Sequence, residues 1–238
     1  MKIIIPLRLN SSRFPRKALT SFRGKPLLCH ILDIADEIVA AKGGEIIVTF
    51  PSQDKKELLP FLHDRNIINT SNQCNNATER VIELSRDMGS DLYLTLPVDE
   101  PLLKASEVIK ALDQPRGNVA TLFGDFYCYE DMLSPLSAKL VTNHLDNIIY
   151  MSRSAIPLNK DGSKTLERMK KNVGVFFFEK NFLDWLWTKR RIKTFLDGHE
   201  GLEQLRWIEL GAKIKAIKID HSGFGLDVPE QLEELETR

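Results

Sequence analysis

Short apolar runs alternate with helical-period stretches through the first half of the chain. Ile3-Ile4-Ile5 has no polar alternation, the pattern of a strand buried on both faces. Pro6, which lacks an N–H, ends it. Leu27, Leu28, Ile31, Leu32, Ile34, Ala35 and Ile38 recur at helical spacing, so a helix opens after Pro26, runs to about Ala41 and stops at Gly43-Gly44. Residues 45–50 read as a second buried strand, 54–64 as a second helix and 66–69 as a short third strand. That order predicts a parallel sheet. Thr78 is then expected to cap a helix carrying Val81, Ile82 and Leu84. Residues 91–96 form the next strand and 102–112 the next helix.

The second half is less regular. Residues 119–123 read as a strand and 126–135 as irregular chain. Residues 138–142 and 147–151 read as a hairpin, which would make the sheet mixed. Residues 159–164 form a polar loop able to move. Residues 172–178 are an apolar strand, and 182–187 a short amphipathic helix whose aromatics suit a core or subunit contact better than a cofactor box. A helix is expected from His199 through about Leu210, closed by Gly211. Residues 214–219 alternate apolar and charged, as a half-exposed strand near an edge does. After a loop at 222–227, Asp227 would cap a final helix begun by Pro229. There is no internal repeat, biased segment or clear linker, so a single domain spanning 1–238 is expected.

Composition narrows the function classes. Thirty-three basic and 33 acidic side chains leave no net charge, so no global field attracts nucleic acid or an anionic membrane, and any anion site must be local. No stretch approaches the length of a membrane span. Cys29, Cys74 and Cys128 are odd in number and widely spaced, the usage of free thiols in a reducing compartment, so a cytoplasmic location is expected. The five histidines lack metal-ligand spacing. Neither a G-x-x-x-x-G-K-[ST] loop, a G-x-G-x-x-G turn nor a G-x-S-x-G elbow is present, which argues against P-loop, dinucleotide and serine-hydrolase chemistry.

Two stretches carry candidate chemistry. The loop after the first strand holds Arg8, Arg13, Arg16 and Lys17 with Ser11 and Ser12. At the carboxyl end of a parallel strand such a loop suits a polyphosphate, although the same composition also describes a solvated surface loop. Asp99 and Glu100, held between Pro97 and Pro101 at another strand end, suit a hard metal ion or, equally, a helix cap.

Seven motifs in order resemble the CMP-Kdo synthetase (3-deoxy-manno-octulosonate cytidylyltransferase) family over nearly the whole chain. They are Arg8-x-x-Ser11-x-Arg13-x-Pro15-x-Lys17, Gly24-Lys25-Pro26, Thr78-Glu79-Arg80, Asp99-Glu100-Pro101, Tyr150-x-Ser152-Arg153-x-x-Ile156-Pro157, Glu203-Gln204-Leu205-Arg206 and Gly225-x-Asp227-x-Pro229-Glu230. The resemblance implies an α/β fold, a Rossmann-like nucleotidyltransferase with a mostly parallel sheet and helices on both faces. A small hairpin and dimerisation lobe at about 126–190 and a homodimer are implied too. The implied reaction moves CMP from CTP to the anomeric hydroxyl of Kdo or a related 3-deoxy sugar acid, with Mg²⁺ as cofactor, for lipopolysaccharide or capsule synthesis. In that reading Arg8, Arg13, Lys17 and Asp99 are catalytic, and Arg8, Ser11, Arg13, Lys17, Thr78 and Arg80 bind the nucleotide. Arg153, with its fork toward the carboxylate, Asn172, Glu203 and Gln204 meet the sugar, and Asp99 and Asp227 hold the metal.

The chain departs from the family pattern at several positions. Arg16 replaces a glycine, which would stiffen the loop and add charge at the phosphates. Pro97 replaces a glutamine expected to read the base, Ala77 a glycine and Phe50-Pro51 a Thr-Asp. Asn172 replaces a histidine, and Phe176 and Phe178 replace aromatic hydroxyls expected near the sugar. Two further readings follow from these departures: another nucleotide or sugar acid, or a non-catalytic nucleotide binder.

Overall fold

Among the described residues of this computed structural model nine strands share one sheet, and the alternation of Ile3, Ile4 and Ile5 shows how it is covered. The structure describes residues 1–63, 65–74, 76–163, 169–221 and 225–237. The expected helix end at 64, the loop end at 164 and loop residues 222–224 lie outside them.

In chain order, β1 (Lys2–Pro6) leads into a cationic loop, a two-stranded hairpin of β2 (Ser21–Phe22) and β3 (Lys25–Pro26), and α1 (Leu27–Lys42). Next come β4 (Glu45–Pro51), α2 (Lys55–Leu62), β5 (Asn66–Thr70), α3 (Ala77–Asp87) and β6 (Leu92–Thr95). They are followed by α4 (Ala105–Leu112), β7 (Val119–Gly124), α5 (Tyr129–Leu133), β8 (Lys139–Thr142) and β9 (Ile148–Ser152). The chain finishes with β10 (Lys170–Glu179), α6 (Lys180–Lys189), α7 (Leu196–Glu200), α8 (Glu203–Glu209), β11 (Lys215–Lys218) and α9 (Gln231–Glu236).

The sheet runs β11-β7-β10-β6-β1-β4-β5, with β8 paired to β10 and β9 to β8. β1 is parallel to β4 and β6, β4 to β5, and β11 to β7. β10 is antiparallel to β6, β7 and β8, so the sheet is mostly parallel but mixed, and the predicted hairpin is β8–β9. Ile3 and Ile5 pack in one core with α1, α2 and α4 residues such as Ile31, Leu58 and Val108. Ile4 packs in the other, with Val81 of α3, Leu183 of α6 and Trp207 of α8. A strand covered on both faces has no solvent side, hence its uninterrupted apolar run. Phe176, Phe178 and Phe182 meet Trp207 edge-on at 5.6–5.7 Å, so Phe182 of α6 is core, as expected, while Trp185 and Trp187 are partly buried against it.

Local structure corrects five expectations. Asn76, not Thr78, caps α3: its backbone is extended and its carboxamide accepts the Glu79 N–H at 2.8 Å, leaving Thr78 inside the first turn. Neither Asp99 nor Glu100 caps α4, which starts after Lys104. The stretch expected to be irregular contains α5, with the Cys128 thiol at its cap. The expected long helix at 199–210 is two, because Gly201 takes the left-handed conformation (φ 63°), closing α7 so that α8 starts in a new direction. Asp227 does not cap α9; Gln231 Oε1 instead accepts the Asp227 and Val228 N–H groups. The three cysteines are unpaired. Among the described residues no helix is long and apolar enough to cross a membrane.

Candidate active site

The loops that follow β1, β5, β6 and β11 all leave the carboxyl ends of parallel strands, and β1 lies between β4 on one side and β6 on the other, a topological switch point. At this edge, two cavities adjoin and share Arg13, Asn76, Pro97 and Asp99. One, about 280 Å³, is lined by Arg8, Ser11, Lys17 and Arg80 besides the shared residues. The other, about 480 Å³, takes in Arg153, Asn172, Glu203, Gln204 and Asp227. The structure therefore gathers the predicted residues of both sets, except that Thr78 lines neither cavity. A larger cavity, about 880 Å³ and bordered by Arg116, Trp185 and Lys213, opens at the opposite end of the sheet and contains none of them.

The cationic loop is pinned at both ends. Buried Asp54 accepts the Leu9 N–H at 2.8 Å, a contact that sequence spacing alone did not reveal. Lys17 Nζ lies 2.7 Å from Asp99 Oδ1 and donates to the Leu226 carbonyl at 2.9 Å, tying the loops after β1, β6 and β11 together. The Leu226 N–H donates to the Asp99 carbonyl at 2.8 Å. Arg13 faces Asp227 at 3.7 Å and is half exposed, and Arg8 is exposed at the cavity wall. Arg16 adopts the left-handed conformation (φ 60°) in the position of the missing glycine, at a cost of about 1 kcal/mol. Its guanidinium pairs with Glu57 of α2 at 2.5 Å, so the added charge is turned away from the cavity rather than toward it.

Burial pushes the Asp227 carboxyl above its ordinary range, and the neighbouring Asp99 charge pushes it further, while Lys17 and Arg13 oppose both. Two carboxylates within each other's field, flanked by cations, are a hard-oxygen donor set whose repulsion a divalent cation relieves. Mg²⁺ commonly takes one or two carboxylates and completes its shell with water and substrate phosphates. Asp99 and Asp227 fit that pattern, although among the described residues no group of three or more His, Cys, Asp or Glu forms a metal site.

On the other side, Thr78 donates to Glu203 Oε1 at 2.7 Å. Burial raises the Glu203 carboxyl to about 7, with the Thr78 bond opposing and the Glu79 charge adding to the rise. Asn172, in place of a histidine, accepts from the Thr121 hydroxyl at 2.9 Å. Of the two lost aromatic hydroxyls, only that of Phe176 would face the cavity; Phe178 is fully buried among Phe182 and Trp207. Arg153 is more committed than its motif suggests. Its Nε donates to the Glu200 carbonyl at 3.0 Å, and Nη1 donates to the Pro135 and Leu136 carbonyls at 2.9 and 3.0 Å. Burial lowers its pKa, with Arg13 close enough to add to the effect.

Glu200, a residue the motif reading passed over, accepts from Tyr150 Oη at 3.2 Å, Ser152 Oγ at 2.7 Å and the Arg153 N–H at 2.9 Å. Burial would raise its carboxyl, but these bonds outweigh it and hold the group below the usual range. The spacing of Tyr150, Ser152 and Arg153 along one strand end was the available signal for a shared acceptor; nothing in the sequence named Glu200 as that acceptor.

A family model for cytidylyltransferases matches residues 2–215. The chain belongs to the cytidylyltransferase family. Within this family it is similar to the 3-deoxy-manno-octulosonate cytidylyltransferase of Trichlorobacter lovleyi, at 31% identity over 99% of this chain and 96% of the relative. That of Pelobacter propionicus is 30% identical over 96% and 93%. Among solved structures, CMP:2-keto-3-deoxy-manno-octonic acid synthetase complexed with CTP superposes with a TM-score of 0.83 at 29% identity, covering 99% of this chain and 96% of that one. The mostly parallel sheet of this cytidylyltransferase family member, covered by helices on both faces, is thus the fold of that synthetase.

Proposed function

We propose that this cytidylyltransferase transfers CMP from CTP to the anomeric hydroxyl of Kdo, releasing pyrophosphate. One observation carries the reading most: the two adjoining cavities meet at Arg13 and Asp99, with cations on the first side and Arg153, Asn172, Glu203 and Gln204 on the second. In-line phosphoryl transfer needs two reactants held end to end and the developing charge neutralised, more than it needs a dedicated base. Arg8, Arg13 and Lys17 hold the triphosphate and offset the charge of the departing pyrophosphate. Ser11 and Arg80 orient the nucleotide, and Thr78 acts through Glu203. The free Nη2 of Arg153 faces the acidic sugar, with Asn172, Glu203 and Gln204 at its hydroxyls. Asp99 and Asp227 would hold Mg²⁺, which when bound supplies charge neutralisation and lowers the pKa of the attacking hydroxyl.

In the same reading the chain is one cytoplasmic nucleotidyltransferase domain serving lipopolysaccharide or capsule synthesis. Residues 126–190 are its sugar-side and dimerisation lobe, and two copies form a homodimer. Leu145, Ile149 and Leu158 of that lobe are each more than half exposed, the kind of apolar surface a subunit contact would cover.

Pyrophosphate release with CTP, Kdo and Mg²⁺, against controls lacking each, tests the reaction. Release that needs all three is expected, and Asp99→Asn and Asp227→Asn should each reduce it by about 100-fold or more. Full Mg²⁺-dependent turnover in both variants would overturn the metal assignment. Release only with another nucleotide or sugar acid would replace the substrate, a live comparison because Pro97 lines both cavities where a base-reading glutamine is expected. Silence across that panel would leave a non-catalytic nucleotide binder.

A further inference from the structure

Lys139 is fully buried on β8, yet it lies beside the wall of the larger of the two adjoining cavities. Its ammonium donates to three main-chain carbonyls: Ser134 at 2.5 Å, Ser137 at 2.8 Å and Arg153 at 2.9 Å. Arg153 in turn donates through Nη1 to the carbonyls of Pro135 and Leu136. Two cations therefore capture four consecutive carbonyls, from residue 134 through residue 137, and one cation also holds the main chain of the other. The Ser137 hydroxyl is fixed as well, donating at 2.7 Å to Asp131, which is paired with Lys171 at 3.0 Å. Leu136 and Ser137 of this segment line the cavity, as do Arg153 and Lys171.

We propose that Lys139 is a positioning residue for the acidic sugar: it presets the 134–137 wall and the guanidinium of Arg153 without touching substrate. The inference rests on the sugar-acid reading of that cavity. An ammonium has three N–H groups, matched here one to one with three carbonyls. Replacing it with an apolar side chain leaves three buried acceptors unsatisfied, and the segment must turn outward to find water. Arg153 then loses both the carbonyls that orient its fork and the anchor on its own carbonyl. None of these groups lines the nucleotide side, so the effect is confined to one substrate.

The charge state of the clamp offers a second handle. Burial lowers the Lys139 pKa to about 8, with Asp131 of α5 opposing; Lys171 of β10 and Arg153 beyond β9 lower it further, and Glu200 of α7 raises it. Above that pH the neutral amine has two N–H groups for three carbonyls.

The test is steady-state kinetics of wild type, Lys139→Met and Lys139→Gln with CTP and Kdo, each substrate varied in turn. Folding of the variants is checked by circular dichroism. Wild-type turnover is the control for the sugar-acid reading; if wild type prefers another sugar acid, the same comparison is made with that acid. The expected result is a sugar KM raised at least tenfold in Lys139→Met and less in Lys139→Gln, with the CTP KM within twofold of wild type. In wild type the sugar KM should rise above pH 8, and that limb should vanish in Lys139→Gln. Equal shifts in both KM values, or a sugar KM within twofold of wild type, would overturn the proposal. If neither variant folds, the wild-type profile decides: a sugar KM flat from pH 7 to pH 9.5 overturns it, and a rise with a flat CTP KM sustains it.

Discussion

Glu203 holds its proton in a way that sets a measurable dependence of stability on pH. The residue is half buried, but its carboxyl end is enclosed, and burial moves its pKa from 4.5 to about 7. In the unfolded chain the carboxyl ionises near 4.5. Between pH 4.5 and 7 the folded state therefore binds a proton that the unfolded state has lost, and stability falls as pH rises through that window, levelling above 7. At 1.36 kcal/mol per unit the full shift corresponds to about 3 kcal/mol, or about 2–3 kcal/mol after discounting for the exposed part of the residue. Glu203→Gln removes the titration while keeping an oxygen for the Thr78 hydroxyl. The variant should gain about 2–3 kcal/mol relative to wild type between pH 4.5 and pH 8. For a chain of this length that is a rise in Tm of roughly 5–10 °C. Urea unfolding of both proteins at pH 5, 6, 7 and 8 measures it, because titrations common to the two cancel in the difference. A difference that stays flat across the series, or that grows toward low pH, would refute the reasoning. A carboxylate kept in an enclosed position at a cost in stability is the pattern of a functional group.

Two stability predictions follow from close contacts. A Cβ on Gly124 would lie 1.8 Å from the His221 carbonyl oxygen, so Gly124→Ala must force the end of β7 and the chain after β11 apart, and a loss above about 4 kcal/mol in chemical denaturation is expected; an unchanged midpoint would show that the backbone yields. Asp131→Ala removes the carboxylate paired with the buried Lys171 ammonium and should cost about 3–5 kcal/mol, whereas Asp131→Leu combined with Lys171→Met should recover most of it, since a desolvated pair is worth little against apolar packing. An additive double variant in a thermal melt would contradict that.

Much of the framework was legible because it obeys local rules. Ile3–Ile5, the helical spacing from Leu27 to Ile38 and the alternation at residues 214–219 each follow from how a strand or helix meets a core, and the structure has β1, α1 and the edge strand β11 at those places. The cationic loop and Asp99 were likewise visible, since a strand end followed by polar residues marks the edge where open sheets bind ligands. Capping was misread where two eligible residues lay close together: Asn76 and Thr78 both suit an N-cap, and the choice went to the one whose backbone was extended, freeing Thr78 for Glu203. Gly201 broke a helix that periodicity alone would continue, because periodicity registers side-chain faces and not the sign of φ.

What the sequence by itself determined was most of the strands and longer helices, their order and the residue types of the phosphate and carboxylate loops. Those depend on nearest neighbours along the chain and on whether a side chain is apolar. The tertiary structure alone decided which charges meet: Lys17 with Asp99, Arg13 with Asp227, Arg16 turned out to Glu57, and Glu200 and Lys139 gathered around Arg153. Such pairings join residues from 14 to more than two hundred positions apart. They depend on loop directions fixed only once both faces of the sheet are packed, and no periodicity or propensity along the chain encodes a distance between two loops that the sheet brings side by side.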